Sequence, residues 1–129
     1  MQSTEAPSYA LSFAAGTIVK TNSSNTLADG VATRVPDEDA FAIIRKGASR
    51  IAQVTDAEIA AAVRAYWTDT HNLAEGAGAA PLAAALQDKA KLRGKRVGLV
   101  LSGGNIDFDL FNRWVVAPSI AQSGAKALA

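Results

Sequence analysis

The sequence has no cysteine and a single histidine, His71. The missing thiols exclude a disulfide framework, thiolate-bound zinc, an iron–sulfur cluster and a cysteine nucleophile. One imidazole leaves no partner for a histidine-based zinc site or a histidine relay. An excess of one charge is also missing: 13 basic residues against 12 acidic ones leave a net +1. The chain therefore carries no electrostatic footprint for nucleic acid or an anionic membrane surface. Its apolar runs, at 82–86 and 97–101, are far too short to span a bilayer. Glu5 lies where the basic start of a secretory signal would be, so a cytoplasmic protein is expected. What is abundant is alanine, about a fifth of the 129 residues, which favours closely packed helices. A length of 129 residues with 49% hydrophobic and 19% charged residues suits one globular domain. The chemistry still open is that of Ser, Asp, Glu, Lys, Asn and Gly, or of a bound cofactor.

Along the chain, residues 1–7 read as a loop, Ser8 as the cap of a helix over 9–15, and Gly16 as its stop. Pro36-Asp37-Glu38-Asp39 places proline and acids at a helix start, and Phe41, Ile43 and Ile44 give that helix an apolar side. A short strand is expected over 50–54. Thr55-Asp56-Ala57-Glu58 is a capping box, and Ile59, Ala62, Val63, Tyr66 and Trp67 follow on one helical face as core. The pattern breaks at Thr70-His71-Asn72, and a second helix, rich in Ala and Leu, runs to about Leu86. Residues 89–95 read as an exposed basic loop, and 97–101 as a strand buried on both faces. Asp107 is expected to cap a last helix through Trp114, with a frayed tail from Pro118. This is an α/β order whose two strands do not make a complete sheet.

The strongest local signal is residues 97–101 feeding Ser102-Gly103-Gly104-Asn105. Ligands bind at the carboxyl ends of strands in open α/β sheets, and glycines there admit close backbone approach. The same residues also suit an ordinary strand-to-helix turn. Glu75-Gly76-Ala77-Gly78 fails as a dinucleotide loop, because Pro81 stands where the third glycine belongs. Glu75 fits either a ligand-facing carboxylate or a plain helix start near the dipole. Asp29-Gly30 is the usual composition of a turn. His71 reads as a surface or hydrogen-bonded residue. Ser102 has no neighbouring histidine, and no lysine sits in a recognisable catalytic setting. The residues describe a ligand-binding half-site without a reactive group of its own.

Four stretches together resemble the threonine dehydratase and serine racemase family, in that family's order and spacing. They are Thr26-Leu27-Ala28-Asp29-Gly30, the run from Pro36 to Glu58, Asn72-Leu73-Ala74-Glu75-Gly76-Ala77-Gly78-Ala79-Ala80, and the strand with Ser102-Gly103-Gly104-Asn105-Ile106-Asp107. The resemblance covers about Ser3 to Trp114. It implies the C-terminal segment of a tryptophan-synthase-β-like, fold-type-II enzyme that uses pyridoxal phosphate, with residues 1–117 in the catalytic domain and 118–129 a flexible tail. Ser102 would hydrogen-bond the pyridine nitrogen; Gly103, Gly104 and Asn105 would shape the strand end around the ring. Glu75 would lie close to the cofactor, and Asp29 and Gly30 in a loop near the active site. The implied reaction turns serine or threonine into a 2-oxo acid and ammonia. The family's Schiff-base lysine and glycine-rich phosphate loop are expected upstream, so no catalytic residue is assigned in this chain. The racemase-like branch binds a divalent metal through acidic residues whose matching positions here are Gln2 and Ser8, so no metal is expected. A complementing N-terminal chain and a homo-oligomer of the complete enzyme are the expected partners, with no nucleic acid or membrane. The alternatives are a non-catalytic remnant or interaction module, and a racemase-like half.

Overall fold

The computed structural model describes residues 1–117, so the tail expected over 118–129 lies outside the described residues. Two long helices make the frame. Helix α3 (Asp56–Thr70) opens on the capping box: Thr55 accepts from the Glu58 amide while Glu58 reaches back to the Thr55 amide. It ends at His71, which adopts the left-handed conformation and bonds its ring to the Trp67 carbonyl. Helix α4 (Gly76–Gln87) packs against it through side chains no larger than methyl: Ala62, Ala79 and Ala80 are fully buried and Ala83 nearly so. Ile59, Val63 and Val54 complete the centre, and Trp114 closes one end. The alanine excess is thus spent on this close helix pair.

The N-terminal half wraps this pair. Strand β1 (Gln2–Ser3) runs parallel to β2 (Gln53–Val54), a two-stranded ladder in which Gln2 faces Gln53. Residues 1–7 are therefore not all loop, and the strand expected over 50–54 is only two residues long. Helix α1 (Ser8–Ala15) stops at Gly16 in the left-handed conformation, as expected. Pro7, not Ser8, is its cap; the Ser8 hydroxyl is buried and donates to the Thr33 carbonyl. Helix α2 (Glu38–Gly47) is capped by Asp37, and its Phe41 is buried, but Ile43 is 72% exposed. Tyr66 is half-buried, and Trp67 sits at the surface with its ring edge-on to Phe111, outside the core expected for it.

The C-terminal third departs most from expectation. Residues 89–95 include a one-turn helix α5 (Lys89–Leu92), where Asp88 accepts from Lys91 at 2.8 Å and also pairs with Arg50. Residues 97–101 form no ladder, and Val100 is 73% exposed with Val97, Leu99 and Leu101 also open. An uninterrupted apolar segment needs neighbours on both sides to become a buried strand, and the described residues supply none. Helix α6 (Phe108–Phe111) follows Asp107, which stands at the cap position without a side-chain bond, and it continues as a π-turn over Asn112–Val116. No helix among the described residues is long and apolar enough to cross a membrane.

Candidate functional site

Three segments meet around a cleft of about 350 Å³: the turn at Asp29–Val31, the start of α4, and the loop from 102 to 107. Asp29, Gly30, Glu75 and Asn105 line it together with Asp107 and Leu27. Its lining includes three carboxylates and no lysine. The resemblance implies Glu75 and Asn105 beside the cofactor and Asp29 and Gly30 in a loop near the active site, and the fold brings these four to one cavity.

Small residues make the convergence possible. The Glu75 amide donates to the Gly103 carbonyl at 3.1 Å, joining the start of α4 to the 102–105 loop. A Cβ on Gly78 would lie 2.5 Å from that same carbonyl oxygen, and one on Gly103 would lie 2.6 Å from Glu75 Oε1. Gly104 approaches the Leu73 carbonyl as closely, at 2.5 Å from an ideal Cβ. On the other side, Gly30 abuts Ala77 and Gly76 abuts Ala28, at 2.8 and 2.9 Å between the ideal Cβ and the alanine Cβ. Real Cβ atoms essentially never show such separations, so a side chain at any of these glycines forces a shift, cheapest at Gly103, where the flexible end of Glu75 can move. Gly76 and Gly78 were legible only as a failed dinucleotide loop; their function in the fold is to admit the 102–105 loop and the 28–30 turn.

Ser102 lies outside the cleft lining. It is exposed at the end of the open 97–101 segment, and its hydroxyl has no hydrogen-bond partner among the described residues. Glu75 is half-buried at the cap position of α4 with its side chain making no capping bond. Both groups are free to meet a ligand.

A family model for pyridoxal-phosphate dependent enzymes matches residues 1–103. The chain belongs to this family. Among curated relatives, it is 34% identical over 126 residues to the L-threonine ammonia-lyase of Thermotoga maritima, covering 98% of this chain and 31% of that protein. It is 44% identical over 108 residues to the L-threonine ammonia-lyase of Geobacter sulfurreducens, covering 83% of this chain and 27% of the relative. Maize serine racemase superposes with a TM-score of 0.76 at 28% identity, over 98% of this chain and 38% of that one. The architecture is that of part of a fold-type-II enzyme, as its sequence motifs imply. The chain spans about a third of the length of the curated relatives it matches.

The family's cofactor is pyridoxal phosphate. The residues present fit one side of such a group: an exposed, unpaired hydroxyl at Ser102, on a loop held in place where Glu75 and Leu73 approach Gly103 and Gly104. The divalent cation of the racemase-like branch is different. Gln2 Oε1 accepts from the Ala10 amide at 2.9 Å, Gln2 Nε2 donates to Ser8 Oγ at 3.4 Å, and Ser8 donates to the Thr33 carbonyl at 2.6 Å. With no carboxylate there and the amide and hydroxyl oxygens engaged, this donor set does not fit a hard cation.

Sequence reasoning missed Asp56 as anything beyond a helix-start acid. Its carboxylate accepts from Thr26 Oγ1 at 2.5 Å, from the Leu27 amide at 2.7 Å and from Ser3 Oγ at 3.4 Å. No spacing rule connects positions 26 and 56, so only the fold reveals the contact.

Proposed function

We propose that this chain supplies one wall of the cofactor site of a hydroxy amino acid ammonia-lyase, acting on threonine or serine. The observation that carries the reading is the Glu75–Gly103–Gly78 junction, which holds the 102–105 loop against the start of α4 and leaves the Ser102 hydroxyl open. Pyridoxal phosphate supplies an electron-withdrawing ring that weakens bonds at the amino acid's α-carbon. Ser102 would hold the ring nitrogen with a neutral hydroxyl, which does not keep that nitrogen protonated; this suits loss of a β-hydroxyl better than storage of charge. Gly103, Gly104 and Asn105 would follow the ring edge, on a loop whose glycines admit Glu75 and Leu73 on its other side. Asp29 and Gly30 would close the cleft from the opposite side.

A second reading, a binding module that performs no reaction by itself, draws support from a cleft lined by no lysine. In the first reading the lysine and the phosphate-binding loop come from the remaining length of a family member, or from a complementing chain that docks on 97–101. That assembly would be the homo-oligomer-forming, cytoplasmic enzyme.

The experiment is a pyridoxal phosphate titration followed by absorbance, for the chain alone and with the remaining two thirds of a threonine ammonia-lyase added. Under the enzyme reading, the mixture gains cofactor absorbance and releases 2-oxo acid from threonine or serine, and Ser102→Ala weakens the absorbance change. A mixture with neither property sinks the enzyme reading. Binding by the chain alone with no reaction in the mixture favours the module.

A further inference from the structure

We propose that Asp56 is a positioning residue: from the rigid start of α3 it fixes the segment from Thr26 to Val31, and so sets where Asp29 and Gly30 stand in the cleft. This extends the cofactor-site reading above and rests on it for its consequence, though not for its geometry.

The 26–31 segment has little regular structure of its own. A single turn is closed by the Val31 amide donating to Ala28 and the Ala32 amide to Asp29. Its far side is held by shape alone, where Ala28 and Gly30 lie against Gly76 and Ala77. Its near side is held by Asp56. Thr26 Oγ1 donates to one carboxylate oxygen and itself accepts from the Ala28 amide at 3.1 Å, while the Leu27 amide donates to the other oxygen. Three successive residues thus hang directly or indirectly on one carboxylate. The anchor is well founded, because the capping box pins the first turn of α3, and Ile59, Ala62 and Val63 bury the helix behind it. Hydrogen bonds to a charged acceptor are the strong ones, and bidentate arrangements add orientation. A carboxylate in the first helical turn is also favoured by the dipole.

Hydrogen exchange and the cofactor titration, both on the full chain, test this. In Asp56→Ala the amides of Leu27, Ala28, Val31 and Ala32 are expected to exchange about tenfold faster or more, the loss expected of a charge-assisted hydrogen bond. Amides in the middle of α3 and α4 keep their rates. Pyridoxal phosphate affinity falls by about tenfold in the same variant. Asp56→Asn, which keeps an acceptor for the Leu27 amide, falls between wild type and Asp56→Ala. Thr55→Ala weakens the same helix end without removing a bond to the segment, so it speeds the segment's exchange less than Asp56→Ala does. Thr26→Val removes the hydroxyl without altering α3, so it reports on the contact even if Asp56→Ala does not fold. Unchanged segment exchange in Asp56→Ala or Thr26→Val overturns the proposal, as does equal acceleration by Thr55→Ala. A wild-type chain that binds no cofactor either alone or mixed with the remaining two thirds of a threonine ammonia-lyase defeats the cofactor-site reading and leaves the exchange result to decide Asp56.

Discussion

Glycines in this chain divide sharply by what surrounds them. Gly78 faces a backbone carbonyl, which cannot swing aside, whereas the atom facing Gly103 is the far end of the Glu75 side chain. Gly78→Ala is therefore expected to cost about 1–3 kcal/mol through overpacking, and Gly103→Ala less. Gly47, the last residue of α2, has nothing within 4 Å of its ideal Cβ and an ordinary backbone. Gly47→Ala is expected to stabilise by a few tenths to about 1 kcal/mol. Urea unfolding midpoints of the three variants check the order, and a Gly78→Ala midpoint at or above that of Gly47→Ala refutes it. Exposed Ser102 offers a contrast, since Ser102→Ala should move the midpoint by no more than about 0.5 kcal/mol whatever it does to ligand binding. Ser102, Gly103 and Glu75 could be singled out because their motifs are local. Asp56 was half legible: its place at a helix start was read, its grip on Thr26 was not, because that contact spans thirty positions of chain.

At the level of elements, the capping box is the best-marked feature of the sequence and the structure keeps both of its reciprocal bonds. Thr55→Ala should cost about 1 kcal/mol. Glu58 adds a pH dependence. The Thr55 amide first, and then the Gln87 side chain and the Thr55 hydroxyl, hold its carboxyl below the ordinary value of 4.5, against a small opposing effect of burial. A carboxyl lowered in the folded state stabilises above its unfolded pKa and loses that contribution as the pH falls through the folded one. The stability gap between wild type and Glu58→Gln is thus expected to narrow as the pH drops below 4.5, measured by urea midpoints across the acid range. A gap that widens on acidification contradicts this. Capping, glycine stops and helical periodicity could be read because they are settled within a few residues. Burial could not: Ile43 has the right spacing for an apolar face, yet among the described residues it stays 72% exposed. The segment 97–101 has the composition of a central strand, but a strand is buried by its neighbours, and none of the described residues pairs with it.

For the whole molecule, two features carry testable weight. The apolar side chains of 97–101 stay open, so a partner that pairs with this segment should slow amide exchange at Val100 and Leu101, and a charged substitution such as Val100→Lys should abolish that protection. Protection that survives Val100→Lys would mean the partner docks elsewhere. The oxygens of Gln2 and Ser8, at the positions matched to the racemase-like metal site, are engaged in hydrogen bonds, so millimolar magnesium or calcium is expected to leave the melting temperature unchanged, and a rise with either ion contradicts it. The α/β class was legible in the family motifs. The ladder of Gln2 and Ser3 with Gln53 and Val54 was not, because two residues give no alternation to detect.

That short ladder also bears on the order of events in folding. It joins segments about fifty residues apart, so closing it costs loop entropy that only four paired residues begin to offset. The α3–α4 pair closes across the five residues from His71 to Glu75 and buries its alanines at once. The helix pair is the natural nucleus, and the N-terminal half, with the Thr26–Val31 segment that Asp56 fastens, arrives late and is the first to leave.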